Sequence, residues 1–254
     1  MKNRTGKQLY IALILMQLFV TENNAENPVV QTNFTPDPAP MVYKDTVFLY
    51  TGQDEDSAPA GMGVFLMKNY LLYTSTDLVN WTDHGVVASL KNFSWAPNNG
   101  AWAAQCVHRN GKFYYYVSIH GKGIGVLVAD SPYGPFKDPL GKPLFFHSWN
   151  DIDPTVFIDD DGQAYMYWGN PECYFAKLNQ DMISIAGKID SIKPRLKTYQ
   201  EGPWFYKRNN HYYLAWSSTC CPEGIGYAMS SSPTGPWTYK GSIMDGNPLS
   251  SGNQ

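Results

Sequence analysis

"CVHRNGKFYYYVS" (106–118) joins an alternating run to an aromatic run through an Asn-Gly pair. Asn and Gly tolerate the two positive-φ positions of a tight hairpin turn, so the stretch reads as two antiparallel strands. The pattern recurs in "MVYKDTVFLYTG" (41–52), "FIDDDGQAYMYWG" (157–169) and "FYKRNNHYYLAWSS" (205–218). A second unit follows each copy: "YTSTDLVNWTDHG" from Tyr73, "GIGVLVADSPYGPFKD" from Gly123, "YFAKLNQDMISIAGK" (174–188), and "GIGYAMSSSPTGPWTYKG" from Gly224. The units from Gly123 and Gly224 align without a gap, through Gly-Ile-Gly and then Ser-Pro-x-Gly-Pro plus an aromatic. Two hairpins in roughly fifty residues, repeated along the chain, are the signature of a propeller blade. A β-sandwich would also give many short strands, but not the same hairpin pair four times.

The expected class is therefore all-β, a five-bladed β-propeller with four four-stranded blades present and the fifth largely missing. The last point rests on "MDGNPLSSGNQ" (244–254), which follows the fourth blade directly. Composition agrees: 18 Tyr, 8 Trp, 22 Gly and 18 Pro suit a strand-rich, turn-rich chain. Flat aromatic faces also suit sugar rings. A net charge of −3 gives no electrostatic footprint for nucleic acid or an anionic membrane.

The N-terminus, "MKNRTGKQLYIALILMQLFVTENNA", has a basic start, an apolar stretch from Leu9 to Val20 and a polar end. That is the anatomy of a signal peptide, and the stretch is shorter than the ~20 residues a spanning helix needs. We expect a leader at 1–25, a propeller domain at 26–254 and a secreted or periplasmic protein without membrane attachment after cleavage. Cys106, Cys173, Cys220 and Cys221 lack zinc-site spacing. Their reading stays open between buried thiols and a bridge such as an adjacent Cys220–Cys221 pair.

Registering the blades on their first hairpins brings out the chemistry. Asp37 lies four residues before Met41, Asp153 four before Phe157 and Glu201 four before Phe205, while Trp102 lies four before Cys106. Aromatic or apolar pairs follow at matching offsets, Phe48 and Tyr50, Phe113 and Tyr115, Tyr212 and Leu214, and after one extra turn residue Tyr165 and Tyr167. Equivalent positions of successive blades gather around the channel mouth, so three carboxylates and a Trp are expected to meet there. The acidic run Asp159-Asp160-Asp161 falls by register in a hairpin turn instead. Asp54, His120, Asn170 and Glu223 follow strands and read either as pocket-lining residues or as turn residues, with His120 able to serve its loop alone.

Acetal hydrolysis needs an acid to protonate the leaving oxygen and a carboxylate to activate water or attack carbon. A third carboxylate can raise the acid's pKa, and Trp102 offers a stacking platform. At these residues the sequence resembles glycoside hydrolase family 43, through "TPDPAPMVYKDTVFLYTG", "GAWAAQCVHRNGKFYYYVS", "DIDPTVFIDDDGQAYMYWGN" and "YQEGPWFYKRNNHYYLAWSS". The resemblance implies an inverting enzyme with Asp37 as general base, Glu201 as general acid and Asp153 as the modulator of the acid's pKa. Within the family the blade motifs look most like arabinoxylan arabinofuranohydrolases and related xylosidases. They imply removal of α-L-arabinofuranosyl side chains from arabinoxylan, with β-xylosidase action or non-catalytic carbohydrate binding as alternatives. No metal ligand is assigned and no cofactor is required, although the full-length family fold allows a structural calcium in the channel.

Overall fold

The computed structural model describes residues 29–55, 65–219 and 223–246. The leader expected at 1–25, the Cys220–Cys221 pair and the residues beyond Gly246 expected to begin a fifth blade lie outside that set.

The described residues form four antiparallel sheets. Blade one contains β1 (Ala39–Tyr43), β2 (Thr46–Asp54), β3 (Met67–Ser75) and β4 (Thr82–Ser89); blade two contains β5 (Ala101–Arg109), β6 (Lys112–Ile119) and β7 (Gly123–Ala129). Blade three contains β8 (Thr155–Ile158), β9 (Ala164–Trp168), β10 (Tyr174–Leu178) and β11 (Ile185–Ser191). Blade four contains β12 (Tyr199–Arg208), β13 (His211–Ser218), β14 (Ile225–Ser230) and β15 (Thr238–Met244). Within each sheet strands pair in sequence order, and the innermost strands lie side by side, β1 on β5, β5 on β8 and β8 on β12. This is the propeller arrangement.

The turn chemistry works as the sequence implies. Asn110 and Gly111 take φ of 49° and 75°, and Asn209 and Asn210 take 49° and 60°, matching the left-handed pair a two-residue hairpin turn requires. One expectation is corrected: blade two has three strands, not four. The segment after β7 carries Pro132, Pro135, Pro139 and Pro143, and proline has no N–H to give a ladder. That segment meets β7 only at the isolated bridges Val128–Lys137 and Ile124–Phe145.

Apolar side chains fall into three clusters, each lying between consecutive blades. Phe48, Tyr50, Tyr70 and Leu72 meet Phe113, Tyr115 and Val117 between blades one and two. Tyr116, Ile124 and Val126 meet Met166 and Trp168 between two and three, and Tyr165 and Tyr167 meet Phe205, Leu214 and Trp216 between three and four. Period-two alternation explains this: β9 sends Met166 and Trp168 to one seam and Tyr165 and Tyr167 to the other, so all five of its residues are buried.

The Ser-Pro-x-Gly-Pro motif also gains a role. Tyr50 donates to the Pro132 carbonyl at 2.6 Å, and Tyr167 donates to the Pro233 carbonyl. In both cases a buried tyrosine finds its acceptor in the motif of the next blade. The motif's aromatics, Phe136 and Trp237, pack into those same two seams.

Candidate active site

Asp37 and Asp153 stand at the same structural position, directly before a proline and directly before the innermost strand. Both have a left-handed backbone, with φ of 55° and 58°, which costs a non-glycine residue roughly 1–2 kcal/mol. Local hydrogen bonds hold it. The carbonyl before each acid accepts from a glycine N–H, Gly52 to Pro36 and Gly169 to Ile152, both at 2.9 Å. The Asp153 N–H also donates across the seam to Ser118 Oγ at 2.6 Å.

The register of Glu201 differs by one residue from the sequence alignment. In blade four the left-handed residue before proline is Gly202, with φ of 59°, and Glu201 precedes it in a β-bulge of β12. Trp102 occupies the corresponding bulge of β5, between Ala101 and Ala104. Blades two and four thus share a bulge that blades one and three lack, while blade four keeps the left-handed residue before proline that blade two has lost. The extra residue of the bulge is invisible in an alignment anchored on the hairpin.

The offset does not separate the acids. Asp37, Asp153 and Glu201 line one cavity of about 440 Å³ together with Trp102, Asp54 and Glu223. Asp153 is tied to the backbone next to Glu201, because the Gly202 N–H donates to Asp153 Oδ2 at 3.0 Å. Asn170 is not on the cavity wall; its Nδ2 donates to Glu201 Oε2, and its Oδ1 accepts from Gln200 Nε2 at 3.4 Å. His120 is exposed and does not line the cavity itself, but its ring stacks on Trp102 with centroids 3.9 Å apart and planes 12° apart. The buried Tyr70 donates to the Trp102 carbonyl at 3.1 Å. Ser118, Gly202, Gln200 and Tyr70 carry no motif, and only the cross-seam contacts reveal them.

Electrostatics follow from this crowding. Burial, and then the charges of Glu201 and Asp54, push the Asp37 carboxyl up to about 6. Asp153 is pushed well above the usual carboxylate range by burial, then by Asp37 and Glu201, against the opposing hydrogen bond from Gly202. The remaining acidic run is structural: Lys207 bridges Asp159 and Asp160 at 2.8 Å each, and Tyr212 donates to Asp159 at 2.5 Å. Cys106 and Cys173 are free, buried thiols held up at about 12, so neither is a thiolate at neutral pH.

A second cavity, about 330 Å³, shares Asp37 and Asp153 with the first, and Pro38, Ala39, Ala104, Pro154 and Pro203 are among its apolar walls. Its one amide, Gln105, spends its Oε1 on the Val156 N–H. Among the described residues no group of three or more His, Cys, Asp or Glu is placed to hold a metal ion.

The chain is 31% identical to the arabinoxylan arabinofuranohydrolase of Bacillus subtilis (strain 168), over 86% of this chain and 51% of that protein. Among solved structures it is similar to an α-L-arabinofuranosidase from Clostridium thermocellum, with a TM-score of 0.73 and 39% identity over 85% of this chain and 75% of that one. It is also similar to a β-xylosidase/α-arabinofuranosidase from a compost metagenome, solved with xylotriose in a calcium-free form. There the TM-score is 0.76 and the identity 29%, over 86% of this chain and 80% of that one. The chain spans about half the length of the curated arabinoxylan-acting relatives it matches. Residues 25–253 match the family model Glycosyl hydrolases family 43, and the chain belongs to that family.

Proposed function

We propose that this protein is a secreted, inverting glycoside hydrolase that removes α-L-arabinofuranosyl side chains from arabinoxylan. The observation that carries the reading is the single cavity in which Asp37, Asp153 and Glu201 stand with Trp102. Asp37 is the general base: above about pH 6 its carboxylate can take a proton from water. The water oxygen then bonds to the anomeric carbon as the bond to the leaving oxygen breaks, and Glu201 gives that oxygen its proton. Turnover leaves Asp37 protonated and Glu201 ionised, and solvent returns both to their starting states. Asp153 is the modulator, fixing the backbone beside the acid through the Gly202 N–H. Trp102, buttressed by His120, gives a sugar ring an apolar face. Asp54 and Glu223 supply further acceptors for sugar hydroxyls on the same wall.

The similarity to arabinofuranose-releasing proteins supports the choice of sugar. The similarity to a bifunctional β-xylosidase/α-arabinofuranosidase gives the second reading, release of xylose from xylo-oligosaccharides. Incubation with arabinoxylan and with xylo-oligosaccharides, followed by proton NMR of the first product, tests both. Arabinose released with inverted anomeric configuration is the expected outcome. Xylose alone would replace the substrate assignment, and a retained anomer would reject the mechanism. A non-catalytic binder would release neither sugar.

A further inference from the structure

The bulges of β5 and β12 each receive a side chain from the preceding blade. In blade four it is Asp153, whose Oδ2 accepts from the Gly202 N–H at 3.0 Å. In blade two it is Tyr70 of β3. The register of β5 on β6 steps from Ala101–Ile119 to Ala104–Val117, so Trp102 and Ala103 stand against the single residue Ser118. A two-against-one bulge disrupts the ladder locally, and buried carbonyls left without a ladder partner need another donor. The Tyr70 hydroxyl is that donor, 3.1 Å from the Trp102 carbonyl and 3.4 Å from the Ser118 carbonyl. One phenol from blade one thus spans the bulge and touches both of its strands.

Both strands serve the candidate site at that point. Trp102 and Ala103 are on the wall of the first cavity. Ser118, fully buried, accepts the Asp153 N–H on its Oγ at 2.6 Å. Tyr70 is also paired in its own sheet with Gly52, whose N–H donates to the carbonyl preceding Asp37. Its ring is fully buried and edge-on to Tyr115, with centroids 5.3 Å apart, so packing aims the hydroxyl. Tyr50 provides a matched control. It is equally buried and packs on the same Tyr115 ring at 5.1 Å, but its hydroxyl goes to the Pro132 carbonyl, which lines neither cavity.

We propose that Tyr70 is a positioning residue. Its hydroxyl holds the β5 bulge in the shape that turns Trp102 to the cavity and seats Asp153 on Ser118. The effect on turnover rests on the function proposed above; the hold on the bulge does not.

Two measurements on the full chain separate these dependencies, using Tyr70→Phe and Tyr50→Phe, which each remove one buried hydroxyl and keep the ring. Hydrogen exchange of the free protein, read over peptides covering residues 101–105 and 150–154, tests the hold on the bulge. We expect Tyr70→Phe to speed exchange there about tenfold and Tyr50→Phe to leave it unchanged. Equal exchange in the two variants overturns the proposal, whatever the chain hydrolyses. Kinetics on an aryl α-L-arabinofuranoside test the positioning. Tyr70→Phe should lower kcat about tenfold and raise KM about threefold, against changes under about twofold for Tyr50→Phe. In a Trp102→Ala background the KM effect of Tyr70→Phe should vanish, because no ring is left to aim. A KM effect that persists there, or equal kinetic losses in the two tyrosine variants, reduces Tyr70 to a packing residue and overturns the positioning role. A chain that hydrolyses no arabinofuranoside fails the function proposed above, and exchange alone then decides the hold on the bulge.

Discussion

Asp37 combines a functional demand with a cost to stability. Its carboxyl is raised from 3.8 to about 6, so protonation is favoured in the folded state. The resulting stabilisation is complete below pH 3.8 and is lost as pH rises through 6. At neutral pH the ionised group therefore costs up to about 3 kcal/mol, less for whatever water reaches the half-buried side chain. Asp37→Asn should melt higher than the unaltered protein at pH 7, with the difference closing by pH 4, while turnover falls roughly 10²–10⁴-fold. Thermal melts at the two pH values and an activity assay check both halves. A variant that melts lower at pH 7 than its parent would remove the assignment of strain to this carboxylate. For the active protein, the acid limb of the rate profile should bend near pH 6. Asn170 makes a separate case, because its amide donates to Glu201 Oε2. Asn170→Ala should lower kcat about tenfold while raising KM less, because Glu201 loses the donor that orients it. An unchanged kcat would mean the amide serves the loop alone.

Single strands carry the information that the sequence pattern reveals and the information it hides. The hairpins were legible because their turns use Asn-Gly and Asn-Asn, whose positive φ has a residue signature. The alternation of β6 and β9 was legible too, because each strand buries both faces against neighbouring blades. The bulge of β12 was not. An extra residue between Tyr199 and Trp204 leaves no compositional mark, so Glu201 aligned with Asp37 by count although Gly202 is the backbone equivalent. The missing outer strand of blade two was readable in principle from its four prolines. Gly202 has space for a methyl group, its nearest neighbour being Ser217 Cβ at 3.8 Å, so Gly202→Ala tests the backbone alone. We expect a loss of about 1–2 kcal/mol from the left-handed φ, read from denaturant midpoints. A larger proportional loss of activity should accompany it, because the same peptide N–H holds Asp153.

Across the whole molecule, stability resides in the seams between blades. Phe205 joins blade four to blade three, stacked on Tyr167 at 4.8 Å and edge-on to Phe157 at 4.9 Å. Phe205→Ala should cost about 3–5 kcal/mol, measurable as a shift in the unfolding midpoint; a loss under 1 kcal/mol would place the core elsewhere. Asp37, Asp153, Glu201 and Trp102 could be picked out of the sequence because radial repetition converts a shared offset into proximity. Their supports could not, since each contact reaches into a different repeat. Asp153 of blade three leans on Ser118 of blade two, and Gly202 of blade four leans on Asp153. Glu201 is gripped from the loop after β9, and Tyr70 of blade one holds the Trp102 carbonyl. The candidate constellation is thus a gauge of inter-blade alignment: a tilt of one sheet too small to break its own ladder still misaligns donor and acceptor. On slow heating, turnover should fade several degrees before the far-ultraviolet dichroism of the strands begins to change.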